Sequence, residues 1–183
     1  MKKILLLALI VSLVTFCGQK ENKTAASSEA AVNETSTNPI SATYYLIRHA
    51  EKVRTNPTDP DPSLAIKGML RAKRWAEYFE PFKIDNIYIT KYIRTKQTIS
   101  FVAQQKQLSP IVYIPNTLYS EAFLNKTNHK TTLIVGHSNT IPQLVNKLIG
   151  EEKFENMDDT DNATLFKVTI DGNSKKVETI TVE

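Results

Sequence analysis

The chain has 183 residues, 41% of them hydrophobic, with a formal net charge of +4 and a single cysteine. That is enough for one domain of ordinary size with a conventional apolar core. It excludes an intramolecular disulfide, and without a Lys/Arg block interleaved with aromatics it gives no sign of a nucleic-acid surface.

Met1-Lys2-Lys3 followed by Ile4 to Phe16 reads as a basic n-region and an apolar h-region, too short for a comfortable permanent span, so residues 1–17 are expected to be an export signal. Cys17 ends the run in the place of a lipoprotein acylation site, although Phe16 is bulky for the residue preceding such a cysteine. The alternative is a signal cleaved nearby and an incidental cysteine. On either reading the mature protein is exported to the periplasm or cell envelope; on the first, its only membrane contact is an N-terminal lipid on Cys17. Residues 18–41 are rich in Ser, Thr, Asn, Glu and Ala and read as a flexible tether, leaving 42–183 as the domain.

Within that domain strand-like and helical patterns alternate. Thr43 to Ile47 is an apolar strand, and the prolines and aspartates of Arg54 to Pro62 demand a loop. Ser63 is placed to cap a helix carrying Leu64, Leu70, Trp75 and Phe79, which stops before Pro81. A second strand is expected over Ile84 to Thr90, a helix from Tyr92 to about Lys106, and a short strand at Ile111 to Ile114. Leu118 to Lys130 is polar and gives no clear period. Thr131 to Val135 is a fourth strand, and Thr140 to Ile149 a helix closed by Gly150. Ala163 to Ile170 and Lys176 to Val182 alternate as a hairpin around Asp171-Gly172-Asn173. This order predicts an α/β fold, a three-layer α/β/α sandwich whose mostly parallel sheet has an antiparallel edge.

Two of the three histidines follow strands directly: Arg48-His49-Ala50-Glu51 after the first, and Gly136-His137-Ser138 after the fourth. Ligands of such sheets collect beyond the carboxyl ends of the strands. Histidine beside arginine, without cysteines or close metal-ligand spacing, points to an anion handled by a nucleophile or base, with phosphate the natural anion. No metal site and no cofactor is expected. A metal hydrolase built on His49, His137 and a carboxylate is the weakest alternative. His129 lies in the polar segment and reads as an exposed bystander.

Arg48-His49-Ala50-Glu51, Leu64 to Gly68 with Arg71-Ala72, Arg94-Thr95-Lys96-Gln97-Thr98 and Gly136-His137-Ser138-Asn139, in that order, resemble the histidine phosphatase (phosphoglycerate-mutase-like) superfamily in its small branch. The resemblance covers about residues 43 to 150. It implies that His49 is a nucleophile that becomes a phosphohistidine, that Arg48 and Arg94 grip the phosphoryl oxygens, and that His137 stabilises the transition state. Neutral imidazole suits the role, since its ordinary pKa near 6.5 leaves a large neutral fraction at pH 7. The proton donor to the leaving group is expected at Glu121, with Glu51 as rival. Thr98, Gly68, Arg71 and Trp75 receive structural roles, and Lys52 and Arg54 lie in a loop that either lines the pocket mouth or is simply solvated. The expected activity is a metal-independent phosphomonoesterase acting on a small phosphorylated substrate. A phosphate-binding module without turnover and a mutase-type phosphotransferase are the alternatives.

Overall fold

A computed structural model describes residues 39–183. The signal segment, Cys17 and the tether up to residue 38 lie outside the described residues. No helix among the described residues is long and apolar enough to cross a membrane.

The elements run β1 (Ser41–Arg48), α1 (Ile66–Phe79), β2 (Asn86–Ile89), α2 (Ile93–Lys106), β3 (Ile111–Val112), α3 (Pro115–Leu118), α4 (Glu121–Thr127), β4 (Thr131–Gly136), α5 (Thr140–Ile149), β5 (Thr164–Asp171) and β6 (Ser174–Thr181). They build one six-stranded sheet in the order β3-β2-β4-β1-β5-β6. β1 pairs parallel with β4, and β2 parallel with both β4 and β3. β5 pairs antiparallel with β1 and with β6, which supplies the expected antiparallel edge.

β1 and β4 are buried over nearly their whole length, as central parallel strands with covered faces must be. Alternate residues feed two cores. Tyr44, Leu46 and Ile134 face Ile141, Leu144, Val145 and Leu148 of α5. Tyr45, Ile47, Leu133 and Val135 face Trp75 and Phe79 of α1 and Ile99 and Val102 of α2. The three layers are therefore α5 with α3 and α4, the sheet, and the α1–α2 pair. Trp75 is fully buried and stacks on Phe79 at 6.0 Å between centroids, so it is core rather than a substrate platform.

Three local expectations need correction. Ser63 does not cap α1, whose first residue is Ile66 and whose N-cap is Ala65, without a side-chain hydrogen bond. Leu64 instead pairs with Lys52 in an isolated bridge, and Leu70 stands half exposed on the outer face of α1. The segment after β3, where the sequence shows no clear period, is helical: Pro115 opens α3, and Ser120 caps α4 by accepting the Phe123 N–H at 3.2 Å. Gly150 does close α5 in the left-handed conformation, φ 78°.

Candidate active site

The register of the central strands sets the site. Arg48 stands opposite Gly136 at the carboxyl ends of β1 and β4, so the next residue on each strand is a histidine. The His49 N–H donates to the Gly136 carbonyl at 2.9 Å, which locks the two strand ends together. The imidazoles meet edge to face with centroids 5.4 Å apart. They share a cavity of about 820 Å³, lined also by Arg48, Lys52, Thr90, Tyr92, Arg94, Tyr113 and Asp159. Sequence reasoning named Arg48, His49, Arg94 and His137, and the fold brings all four together there.

Gly136 is required by packing rather than by a turn. A Cβ there would lie 2.8 Å from the Tyr113 hydroxyl and 2.9 Å from Ile141 Cδ1, and its φ is not positive. Gly68 answers the same need on α1, since a Cβ would sit 2.1 Å from the Glu51 carbonyl oxygen. Thr98 on α2 accepts the Ala50 N–H at 2.8 Å and donates to the Arg94 carbonyl at 2.7 Å, tying the loop that follows β1 to the helix that carries Arg94.

His49 is almost wholly buried. Its Nδ1 lies 2.8 Å from the Ala50 carbonyl oxygen, which can only accept, so Nδ1 carries the proton and Nε2 carries the lone pair. Burial pushes its pKa down to about 3, with smaller contributions from Arg48, His137 and Arg94. Burial likewise takes His137 down to about 4, reinforced by Arg94 and Arg48. Both rings are therefore neutral near pH 7.

Arg94 stands at the start of α2 with its guanidinium 4.1 Å over the Tyr92 ring, and Asp61 pairs with its Nη1 at 3.3 Å. The Nε atoms of Arg48 and Arg94 are both buried and unpartnered among the described residues. Two orphaned guanidinium N–H groups beside two neutral imidazoles ask for an acceptor-rich, doubly charged oxyanion. Among the described residues no group of three His, Cys, Asp or Glu side chains is placed to hold a metal ion.

Neither candidate acid joins the site. Glu121 opens α4, where it is exposed and lines a separate cavity of about 370 Å³ with Ile40, Tyr119, Leu124 and Lys175. α3 carries the chain only four residues before α4 turns back toward the amino end of β4, and Glu121 travels with it. Glu51 is spent on Arg71, whose Nε lies 3.0 and 3.1 Å from its two carboxylate oxygens. It anchors α1 rather than facing the cavity.

Asp159, which sequence reasoning missed, is the carboxylate that does line the cavity. It pairs with Arg48 Nη2 at 2.5 Å and Arg54 Nη1 at 2.6 Å, while Arg48 Nη1 also donates to the carbonyls of Asp158 and Asp161. Arg54 and Arg48 hold the Asp159 carboxyl below its usual range, so it stays ionised. Asn162 completes this loop by donating to the His49 carbonyl at 2.8 Å. The cluster Asp158-Asp159-Asp161 was the only sequence signal. Lys52 does line the cavity, and Arg54 instead holds Asp159.

Residues 44–116 match the model of the histidine phosphatase superfamily (branch 1). No curated protein matches the sequence. Among solved structures, the protein histidine phosphatase SixA complexed with tungstate is similar at TM-score 0.60 and 17% identity, covering 76% of this chain and 96% of that one. A structure from Agrobacterium tumefaciens assigned as the phosphohistidine phosphatase SixA gives 0.58 and 19%, covering 76% and 98%. The phosphoglycerate mutase of Bacillus anthracis gives 0.54 and 14%, covering 78% and 93%. At these identities the likeness establishes the phosphoglycerate-mutase-like fold.

Proposed function

We propose that this chain is a member of the histidine phosphatase superfamily and an exported, metal-independent phosphomonoesterase that works through a phosphohistidine on His49. The observation that carries this reading is the contact of His49 Nδ1 with the Ala50 carbonyl, which leaves the Nε2 lone pair free on a ring that lines a cavity with Arg48, Arg94 and His137. In the first step Nε2 attacks phosphorus, the bond to the leaving oxygen breaks, and its electron pair leaves with that oxygen, which takes a proton from solvent. The imidazolium so formed keeps the Nδ1–H bond to Ala50, which stabilises its charge. Water then attacks phosphorus, the P–N bond breaks, and inorganic phosphate leaves while His49 returns to neutrality. The two guanidiniums and His137 hold the non-bridging oxygens through both steps and follow the charge as it spreads. Export and a lipid on Cys17 rest on the sequence pattern of residues 1–17. A mutase would need a priming bisphosphate, which is hard to supply outside the cytoplasm.

A second reading concerns the leaving group. The one carboxylate lining the cavity, Asp159, is ionised between two arginines and offers no proton. Such a site favours substrates whose leaving group departs without an enzymatic acid, such as the P–N bond of a phosphorylated imidazole, whose nitrogen accepts a proton readily. The similarity to a protein histidine phosphatase agrees with this class.

The test is turnover by the full chain of an alkyl phosphate, an aryl phosphate and phosphoimidazole, in EDTA, with His49→Ala as control. We expect turnover that survives EDTA, disappears in His49→Ala and is slowest for the alkyl ester. No turnover of any of the three would turn the reading to a phosphate-binding module.

A further inference from the structure

β2 and β4 lie side by side with Ile89 opposite Val135, so Thr90 and His137 emerge next to each other at the cavity floor. His137 Nε2 lies 3.0 Å from Thr90 Oγ1. Thr90 Oγ1 lies 3.1 Å from Oγ1 of Thr95, in the first turn of α2. Thr95 Oγ1 reaches two backbone carbonyls, of Thr90 at 3.0 Å and of Tyr92 at 2.8 Å. Both threonines are buried, and Thr95 does not line the cavity.

Proton counting along this chain gives one solution that satisfies every contact. A hydroxyl has one proton, and a carbonyl oxygen can only accept. The Thr95 proton is therefore committed to a carbonyl. Its contact with Thr90 must then be donated by Thr90, which commits the second proton. The remaining contact, between Thr90 and His137, has to be donated by Nε2–H. We propose that Thr90 and Thr95 are positioning residues that fix His137 in the Nε2–H tautomer, so that it offers phosphoryl oxygens a hydrogen-bond donor rather than a lone pair.

This rests on the reading of the cavity as a phosphoryl site, and it explains how two neutral imidazoles in contact take unlike roles. His49 meets a carbonyl at Nδ1 and so keeps its lone pair on Nε2. His137 meets the end of a donor chain at Nε2 and so keeps its proton there. One ring is left as a nucleophile and the other as a donor. Nε2–H can be shared between Thr90 and an incoming oxygen, whereas a lone pair at that nitrogen would repel an anion.

Tautomers are read directly from two-bond proton–nitrogen correlation spectra of the full chain labelled with 15N-histidine, at neutral pH and without substrate. His49→Gln and His137→Gln assign the rings. We expect Nε2 protonated in His137 and Nδ1 protonated in His49. Thr95→Val frees the Thr90 proton to point back at His137, so the His137 signals should move toward the Nδ1–H form and kcat should fall roughly tenfold or more as a phosphoryl donor is lost. Thr95→Ser should restore both. Thr90→Ala, which removes the acceptor outright, is the second variant should Thr95→Val fold poorly, and must also move the His137 signals. A wild-type His137 protonated on Nδ1, or signals unmoved in both variants, overturns the proposal. An inactive wild type with the expected tautomers would instead strike at the phosphatase reading and leave the tautomer assignment in place.

Discussion

The parallel strands end in two very different places. At their carboxyl ends lies the larger cavity, with Arg48, Arg94 and Lys52 around two neutral histidines. At their amino ends lies the smaller one, with Glu121, Lys175 and the apolar Ile40, Leu124 and Leu148. The same sheet makes both, yet of these two cavities only the first is lined by arginines with unpartnered N–H groups. At the carboxyl end β2 and β4 pass into α2 and α5 through three-residue turns, and His49 follows β1 directly, so the residues just past each strand are aimed by the register. At the amino end the chain arrives from helix ends of varied length, and no register fixes what arrives.

His49→Ala should remove the nucleophile and cut kcat by roughly 10⁴-fold or more, by analogy with loss of other nucleophiles. Residual turnover near wild type would mean the carboxyl-end cavity is not where chemistry occurs. Arg94→Ala or His137→Gln, each losing one donor to the phosphoryl group, should cost about 10²–10³-fold in kcat/KM. Asp159→Asn should act in the opposite direction: with its charge gone from Arg48 and Arg54, KM for an anionic ester should fall severalfold and free phosphate should inhibit more strongly, measured by initial rates. Glu121→Gln should change turnover by less than about twofold, within the scatter of surface substitutions. A large loss there, especially with an alkyl ester, would return the acid role to α4.

Stability carries the same asymmetry. His49 and His137 are depressed to about 3 and about 4, below the ordinary value of 6.5. In the unliganded protein the unfolded chain therefore binds protons first as pH falls. Stability is fully present above pH 6.5 and is lost progressively as pH falls through the folded values. Urea midpoints should drop between pH 6.5 and 4, and inorganic phosphate should offset the drop by binding the native state.

Much of this was legible in the chain. The strand-end positions of His49 and His137 follow from two apolar runs that stop just before them, and pairing of β1 with β4 does the rest. The helices with clear apolar faces, α1 and α5, were legible too, although α1 begins at Ile66 because Leu64 is taken by its bridge to Lys52. Asp159 was not, because residues 151–162 have no period, and its position depends on three contacts made by Arg48. Thr90 and Thr95 look like ordinary strand-end and helix residues until the β2–β4 register sets one beside His137. Glu121 was misplaced for a similar reason: the one-turn length of α3 decides which end of the sheet receives it, and nothing in Leu118-Tyr119-Ser120 announces that turn.

The most direct measurement is to quench the full chain in alkali during turnover of an aryl phosphate and map the phosphoryl group by mass spectrometry. The account predicts a single acid-labile phosphoryl on His49, absent in His49→Ala and accumulating when water attack is slowed. A phosphoryl group on His137 or on any other side chain, or steady turnover with no labelled His49, would contradict it.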